Sequence, residues 1–303
     1  MMFQLNKSIN QPIKISKKHG VELFLKREDE IHHFISGNKY RKLKYNVEEA
    51  KNLKADTLLT FGGAYSNHIA ATAFAGKELG FKTIGIIRGD ELKDKIKTNA
   101  TLLFAQACGM QFKFVSREIF REKHTAAFME ALKNEFGEFY HLPEGGTNVL
   151  AIKGCEEILT TDDLDFDYVS CAIGTGGTIS GIINRSQKNQ QILGFPALKG
   201  SFLKEDISKF VNKQNWHIFE DYHFGGYAKV NKELVQFVNQ FKKDNNIPLD
   251  PVYTGKMMFG IFDLLEKDYF KVGSKILAIH TGGLQGIPGM NAVLRKKKML
   301  IID

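Results

Sequence analysis

The sequence has no C-x-x-C pair and no zinc-ligand spacing. Its three cysteines, Cys108, Cys155 and Cys171, stand well apart, as reduced structural thiols do, and nothing argues for a metal. No apolar run is long enough to cross a bilayer, and the start, MMFQLNKSINQPIK, has no apolar core resembling a signal peptide. A cytoplasmic address without a membrane partner is therefore expected. Internal repeats, low-complexity tracts and long linkers are missing, and so is the G-K-[ST] of a nucleoside-triphosphate loop. Charge leans one way, to +8, but the basic residues are spread along the chain and the densest run is RKKK at Arg295–Lys298. Neither zinc-finger spacing nor an RNP-like aromatic motif accompanies it, so no nucleic-acid partner is expected. The charge reads as solubility plus a positive field around a site for anionic substrates.

At 303 residues the chain is long enough for two domains around one cleft. Short apolar strands alternate with amphipathic helices nearly throughout. DTLLTFGG reads as a strand before a helix from about Asn67 to Leu79, and KTIGIIRG as the next strand, before the helix TNATLLFAQACG. MQFKFVS precedes a long helix, REIFREKHTAAFMEALKNEFG. FDYVSCAIG, QILGFPAL and KVGSKILAIHTGG are later strands, and NKELVQFVNQFKKDNN is helical. This rhythm predicts an α/β fold of parallel-rich sheets flanked by helices. Ligands in such folds bind beyond the carboxyl ends of the strands. Four glycine-bearing turns fall there: FGGAYSNH, PEGGTN, GTGGT and HTGG. Any one of them is explained by a strand turning into a helix; several at one end suggest a lined site.

GTGGTISG, Gly174–Gly181, follows a strand and opens a helix, so its backbone N–H groups can converge on an anion. Thr175 and Thr178 add hydroxyls. A dinucleotide fingerprint needs glycine where Ile179 stands, and no acidic residue ends the next strand to hold a ribose. A single phosphate monoester suits the loop better. Upstream, FISGNKYRKLKYNVEEAK crowds Lys39, Arg41, Lys42 and Lys44 together. With Asn38 as cap, Lys39 lies in the first helical turn, where the macrodipole and the like charges of Arg41 and Lys42 disfavour a cation. Those terms push an amine pKa down and leave it nucleophilic. Such an amine attacks an aldehyde, and an aldehyde carrying a phosphate monoester is pyridoxal phosphate.

These residues resemble the tryptophan-synthase-β-like (fold type II) pyridoxal-phosphate enzymes. More closely, the chain is similar to the family joining D-cysteine desulfhydrase and 1-aminocyclopropane-1-carboxylate deaminase. SGNKYRKLKY, FGGAYSNH, PEGGTN, GTGGT, DPVYTGK and HTGG stand in family order across residues 36–283. The resemblance implies a two-domain fold: a large cofactor-binding domain of residues 1–41 and 143–303, and a small α/β domain of 42–142. It implies pyridoxal 5'-phosphate as cofactor, a small amino-acid substrate, and a homodimer.

By the same resemblance Lys39 matches the lysine that holds the cofactor and moves the substrate's α-proton, with Lys42 as rival. Asn67 matches the asparagine at the cofactor's phenolic oxygen, and Ser66 a residue near the substrate carboxylate; a bare helix cap would also explain that pair. Gly174, Thr175, Gly176, Gly177 and Thr178 match the phosphate cradle. Tyr253 matches an active-site tyrosine and Tyr227 a second, for which a core or surface tyrosine is the plainer explanation. Thr281 would face the pyridine nitrogen, with Thr254 as another candidate. His68 and His280 fall inside motif blocks, and structural roles suffice for both.

The residue after Tyr253 separates two chemistries. The deaminase branch carries glutamate there, where a carboxylate strengthens the electron sink needed to open a cyclopropane. Here it is Thr254, and SNH replaces the deaminase-like SNQ. Expelling a thiolate demands less of the ring. The expected reaction is α,β-elimination of D-cysteine to pyruvate, ammonia and hydrogen sulfide, a carbon–sulfur lyase. Ring opening of the cyclopropane amino acid is the alternative, and L-cysteine, β-chloro-D-alanine and D-serine stay open as substrates.

Overall fold

Leu59, Phe61, Ile84 and Ile86 bury on one face of their strands, while Leu58 and Ile87 bury on the other. Apolar residues on both faces are what parallel strands need when helices cover each side. The computed structural model describes residues 5–35, 37–200 and 202–303. The first four residues of the expected large domain therefore lie outside it, as does Ser36, which opens the SGNKYRKLKY block.

Ten strands occur among the described residues: β1 (Asn10–Pro12), β2 (Glu22–Lys26), β3 (Thr57–Gly63), β4 (Lys82–Arg88), β5 (Gln111–Val115), β6 (Tyr140–Leu142), β7 (Tyr168–Ile173), β8 (Gln191–Pro196), β9 (Trp216–Ile218) and β10 (Lys275–Ile279). They form a four-stranded sheet, β5-β4-β3-β6, wholly parallel, and a six-stranded sheet, β1-β2-β10-β7-β8-β9, in which only β1 runs antiparallel. In the larger sheet Leu277 and Ile279 face one core with Val169 and Cys171; Ile276 and Ala278 face the opposite core with Met257 and Phe195.

Helices α1 (Asn38–Asn52), α2 (Asn67–Leu79), α3 (Ala100–Ala107), α4 (Arg117–Arg121), α5 (Ala126–Phe136), α6 (Val149–Glu156), α7 (Gly177–Arg185), α8 (Phe202–Ser208), α9 (Lys232–Asn245), α10 (Thr254–Glu266) and α11 (Ile287–Lys296) clothe the sheets. None is long and apolar enough to cross a membrane. The long helix expected over 117–137 is two. Ser116 caps α4 through Ile119 N, and Thr125 opens α5 by accepting from Phe128 N. A threonine hydroxyl competing for backbone N–H groups starts a new helix where periodicity alone continues the old one.

α1 carries the chain from the six-stranded sheet to the four-stranded one; α6 packs against it, and α7 packs against α6. The approach of α1 to α6 rests on Gly154, where an added Cβ would lie 1.9 Å from the carbonyl oxygen of Arg41. Gly181 repeats the device between α7 and α6, its Cβ position 2.7 Å from Ile152 O. Alanine at 154 gains about 1 kcal/mol of helix propensity but forces two backbones apart. We expect Gly154→Ala to cost a net 2–3 kcal/mol or so, as overpacking does, read as a lowered unfolding midpoint. An unchanged midpoint would mean that the helices separate freely.

Candidate active site

Strand ends β3, β6, β7 and β10 deliver the four glycine turns to one region. Gly145 of the PEGGTN turn sits where a Cβ would be 2.8 Å from the Thr175 methyl, and Gly177 where one would be 2.8 Å from Thr147. The two turns thus interlock, and the Thr147 and Thr175 hydroxyls hydrogen-bond at 2.6 Å. Gly176 takes φ +82°, which glycine adopts without strain, and leads into α7.

Lys42 lies in the floor of this pair of turns, only 3% exposed. Its Nζ donates to Gly145 O at 3.0 Å, Thr147 Oγ1 at 2.9 Å and Thr175 Oγ1 at 3.4 Å. No carboxylate pairs with it among the described residues. Burial pushes its pKa down. A buried ammonium held by neutral oxygens alone is costly, and an anion at the start of α7 would complete it.

One turn earlier is Lys39, its Nζ donating to Asn38 Oδ1 at 3.2 Å. Burial first, and then Lys42, push the Lys39 amine down to about 7, a shift that Asp250 and the buried thiols Cys155 and Cys171 partly oppose. Two details differ from the expectation. The cap of α1 is Gly37 (φ +61°), not Asn38, because the loop meets Thr281 backbone-to-backbone and a Cβ at Gly37 would lie 2.1 Å from Thr281 O. Asn38 is the first helical residue and donates to Thr178 Oγ1 at 2.8 Å, tying the lysine helix to the phosphate loop. Arg41 contributes no like charge to Lys39, since its guanidinium makes a bidentate pair with buried Glu28, both contacts 2.8 Å.

Ser66 Oγ caps α2, accepting from His68 N and Ile69 N at 3.2 and 3.3 Å, so the helix-cap explanation holds while its proton stays free to donate. Asn67 projects toward the HTGG turn, where a Cβ on Gly283 would lie 2.9 Å from its Nδ2. His68 is 1% exposed, and neither ring nitrogen has a hydrogen-bond partner. Burial, then Lys39 and Lys42, hold its pKa well below 6.5, so it is a neutral imidazole with one unused donor and one unused acceptor.

Tyr253 packs over the start of the phosphate loop, a Cβ on Gly174 falling 3.2 Å from its Cε1. Tyr227 meets it edge-to-face with ring centroids 6.3 Å apart. Burial, then Tyr227 and Asp250, raise the Tyr253 phenol well above 10. Thr254 is fully buried and gives its hydroxyl to Asp250 Oδ2 at 2.7 Å. Asp250 also accepts from the N–H groups of Val252, Tyr253 and Thr254. Thr281 is buried at the end of β10, and the neighbouring His280 is structural, bonded to Pro248 O and Gly282 N.

Lys39, Ser66, Asn67, the 174–178 loop, Tyr253 and Thr281 are therefore gathered at one set of strand ends, with Tyr227 on the rim. Sequence reasoning passed over Thr147 and Asp250. The D-x-x-x-T spacing of Asp250 and Thr254, a side chain capping the turn that follows it, was the signal available for Asp250. An amine poised near 7 beside an uncompensated buried ammonium and an unpartnered imidazole fits an aldehyde bearing a phosphate monoester. Among the described residues no group of three or more histidine, cysteine or acidic side chains is gathered for a metal.

Known proteins agree with that fit. The family profile for pyridoxal-phosphate-dependent enzymes matches residues 8–282. A mitochondrial bifunctional D-cysteine desulfhydrase/1-aminocyclopropane-1-carboxylate deaminase of Arabidopsis thaliana is 33% identical over 296 residues, covering 89% of this chain and 74% of its own. The crystal structure of a 1-aminocyclopropane-1-carboxylate deaminase homologue superposes with TM-score 0.80 at 29% identity, covering 96% of this chain and 93% of the other. A hydrogen sulfide-producing enzyme from Fusobacterium nucleatum shares the fold at TM-score 0.64 and 17% identity, over 92% of this chain and 96% of the other.

Proposed function

The chain belongs to the pyridoxal-phosphate-dependent enzyme family, and from that premise we propose that it eliminates hydrogen sulfide from D-cysteine, leaving pyruvate and ammonia. Bound pyridoxal phosphate supplies an electron sink for the pair released when the substrate's Cα–H bond breaks. Lys39 would hold the cofactor through its aldehyde carbon, and its Nζ would take the substrate's α-proton. Lys42, Thr147 and the Gly174–Thr178 loop would hold the phosphate. Asn67 would serve the phenolic oxygen, Thr281 the pyridine nitrogen, and Ser66 with the start of α2 the substrate carboxylate. Tyr253, with Tyr227 beside it, faces the β-carbon and its leaving group. The Cβ–S bond breaks as the Cα=Cβ bond forms, and water then releases ammonia. The cofactor would lie between a small domain of residues 42–142 and a large one of 1–41 and 143–303.

One observation carries the choice of chemistry. Asp250 is saturated by three N–H groups and the Thr254 hydroxyl, and Thr254 itself is neutral. Neither residue offers a carboxylate free to keep the ring nitrogen protonated, so the sink suits a substrate with a good leaving group. D-cysteine should give equimolar sulfide and pyruvate, while 1-aminocyclopropane-1-carboxylate should give no 2-oxobutanoate above background. The reverse pattern would overturn the assignment. Ring opening remains the second reading because the Arabidopsis relative's name carries both activities.

A further inference from the structure

Lys256 sits one turn beyond Tyr253 on α10, yet it is 1% exposed. Its Nζ donates to the carbonyl oxygens of His223 and Gly226, both at 2.8 Å, and of Ala197 at 3.4 Å. No carboxylate lies within ion-pair reach of it among the described residues. Burial pushes its pKa down to about 8, so it stays largely protonated at neutral pH. A buried cation with three carbonyl acceptors and no counterion serves those carbonyls; a methionine would fill the same space without the desolvation cost.

Two of the three carbonyls belong to the loop after β9. There Phe224, Gly225, Gly226 and Ala228 all take positive φ (+53°, +89°, +113° and +54°). Phenylalanine and alanine in that region persist only where surrounding contacts impose it. The residue enclosed by this backbone is Tyr227, which keeps 40% of its surface exposed while its ring rests on Tyr253. Lys256 fixes the carbonyl immediately before Tyr227, and it does so from the helix that Tyr253 begins.

We propose that Lys256 is a positioning residue: its ammonium clamps the 223–228 backbone to α10 and so sets Tyr227 against Tyr253 at the rim of the cleft. This rests on the reading of the two tyrosines as substrate-facing, and is independent of which amino acid is consumed.

Hydrogen exchange on the wild-type holoenzyme tests the clamp directly. Amides 225–228 should exchange about tenfold or more slower than exposed loops such as 122–124. In Lys256→Met that protection should fall about tenfold, with α9 and β10 amides unchanged. With D-cysteine as probe, Lys256→Met should raise KM or lower kcat, and combining it with Tyr227→Phe should cost little more than either alone, as coupled residues do. Fast exchange at 225–228 in the wild type would overturn the proposal even if the methionine variant fails to fold. Unchanged protection in Lys256→Met, or additive losses with Tyr227→Phe, would overturn it as well. Inertness toward D-cysteine would strike the proposed substrate and leave the exchange result to decide the clamp.

Discussion

Lys39→Ala is expected to abolish turnover, by at least about a thousandfold, and to shift the violet-region absorption of the holoenzyme to that of the unlinked aldehyde. The variant loses two functions at once, the amine that holds the cofactor and the base that takes the α-proton, and a positioned base alone contributes a factor of 10²–10⁴ or so. Phosphate contacts are untouched, so the protein should still retain pyridoxal phosphate, noncovalently. A variant that keeps the wild-type band would transfer the covalent role to Lys42. A pH signature accompanies the change. The folded amine titrates near 7 and an unfolded lysine near 10.5, so between those values the unfolded chain binds more protons. Apoprotein stability should therefore rise with pH across that window, and Lys39→Met should lessen the rise, leaving the part that Lys42 and Lys256 supply. A slope unchanged by the substitution would remove Lys39 as a source.

Lys42→Met should act with opposite sign on the two forms of the protein. In the apoprotein it replaces a buried ammonium, held only by Gly145 O and two threonine hydroxyls, with an apolar chain of similar length. Replacing buried charge in this way is often neutral or stabilising by about 1–4 kcal/mol. In the holoenzyme the phosphate loses its cation. Hydrogen bonds to charged groups contribute about 1.5–3 kcal/mol, so cofactor affinity should fall by roughly 10–150-fold. Thermal unfolding with and without added pyridoxal phosphate separates the effects: the apo midpoint holds or rises while the cofactor-induced increase shrinks. A lowered apo midpoint with full cofactor stabilisation would make Lys42 a structural residue and leave the phosphate to the loop alone.

Where local rules decide the outcome, the sequence was readable. Ser66 and Gly80 bracket α2 as cap and stop, and continuous apolar runs announce β3, β4 and β7. Lys39 and Lys42 stood out because a cation in a first helical turn works against the dipole. What stayed hidden depends on partners far along the chain. Arg41 looks like a neighbouring charge until Glu28 claims it, and Asn38 looks like a cap until Thr178, 140 positions on, accepts its amide. Thr125 divides a stretch that neither glycine nor proline interrupts between Arg117 and Phe136. Lys256 gives no signal at all, since a buried lysine serving three carbonyls has the same letter as a solvated one.

The order in which the two sheets can assemble follows from the strand pairing. β10 pairs in parallel with β2, Leu277 beside Phe24, so the larger sheet lacks a central strand until residues 275–279 have been made. β3 to β6, by contrast, are complete by residue 142. The four-stranded sheet can thus assemble during translation, while β2 waits for a partner about 250 positions downstream, a long-range closure of the kind that slows folding. The HTGG turn, which completes the proposed cofactor pocket, arrives with that same late strand. Nascent chains shorter than about 280 residues should therefore present the lysines without the pocket, and cofactor capture should be among the last events of biogenesis.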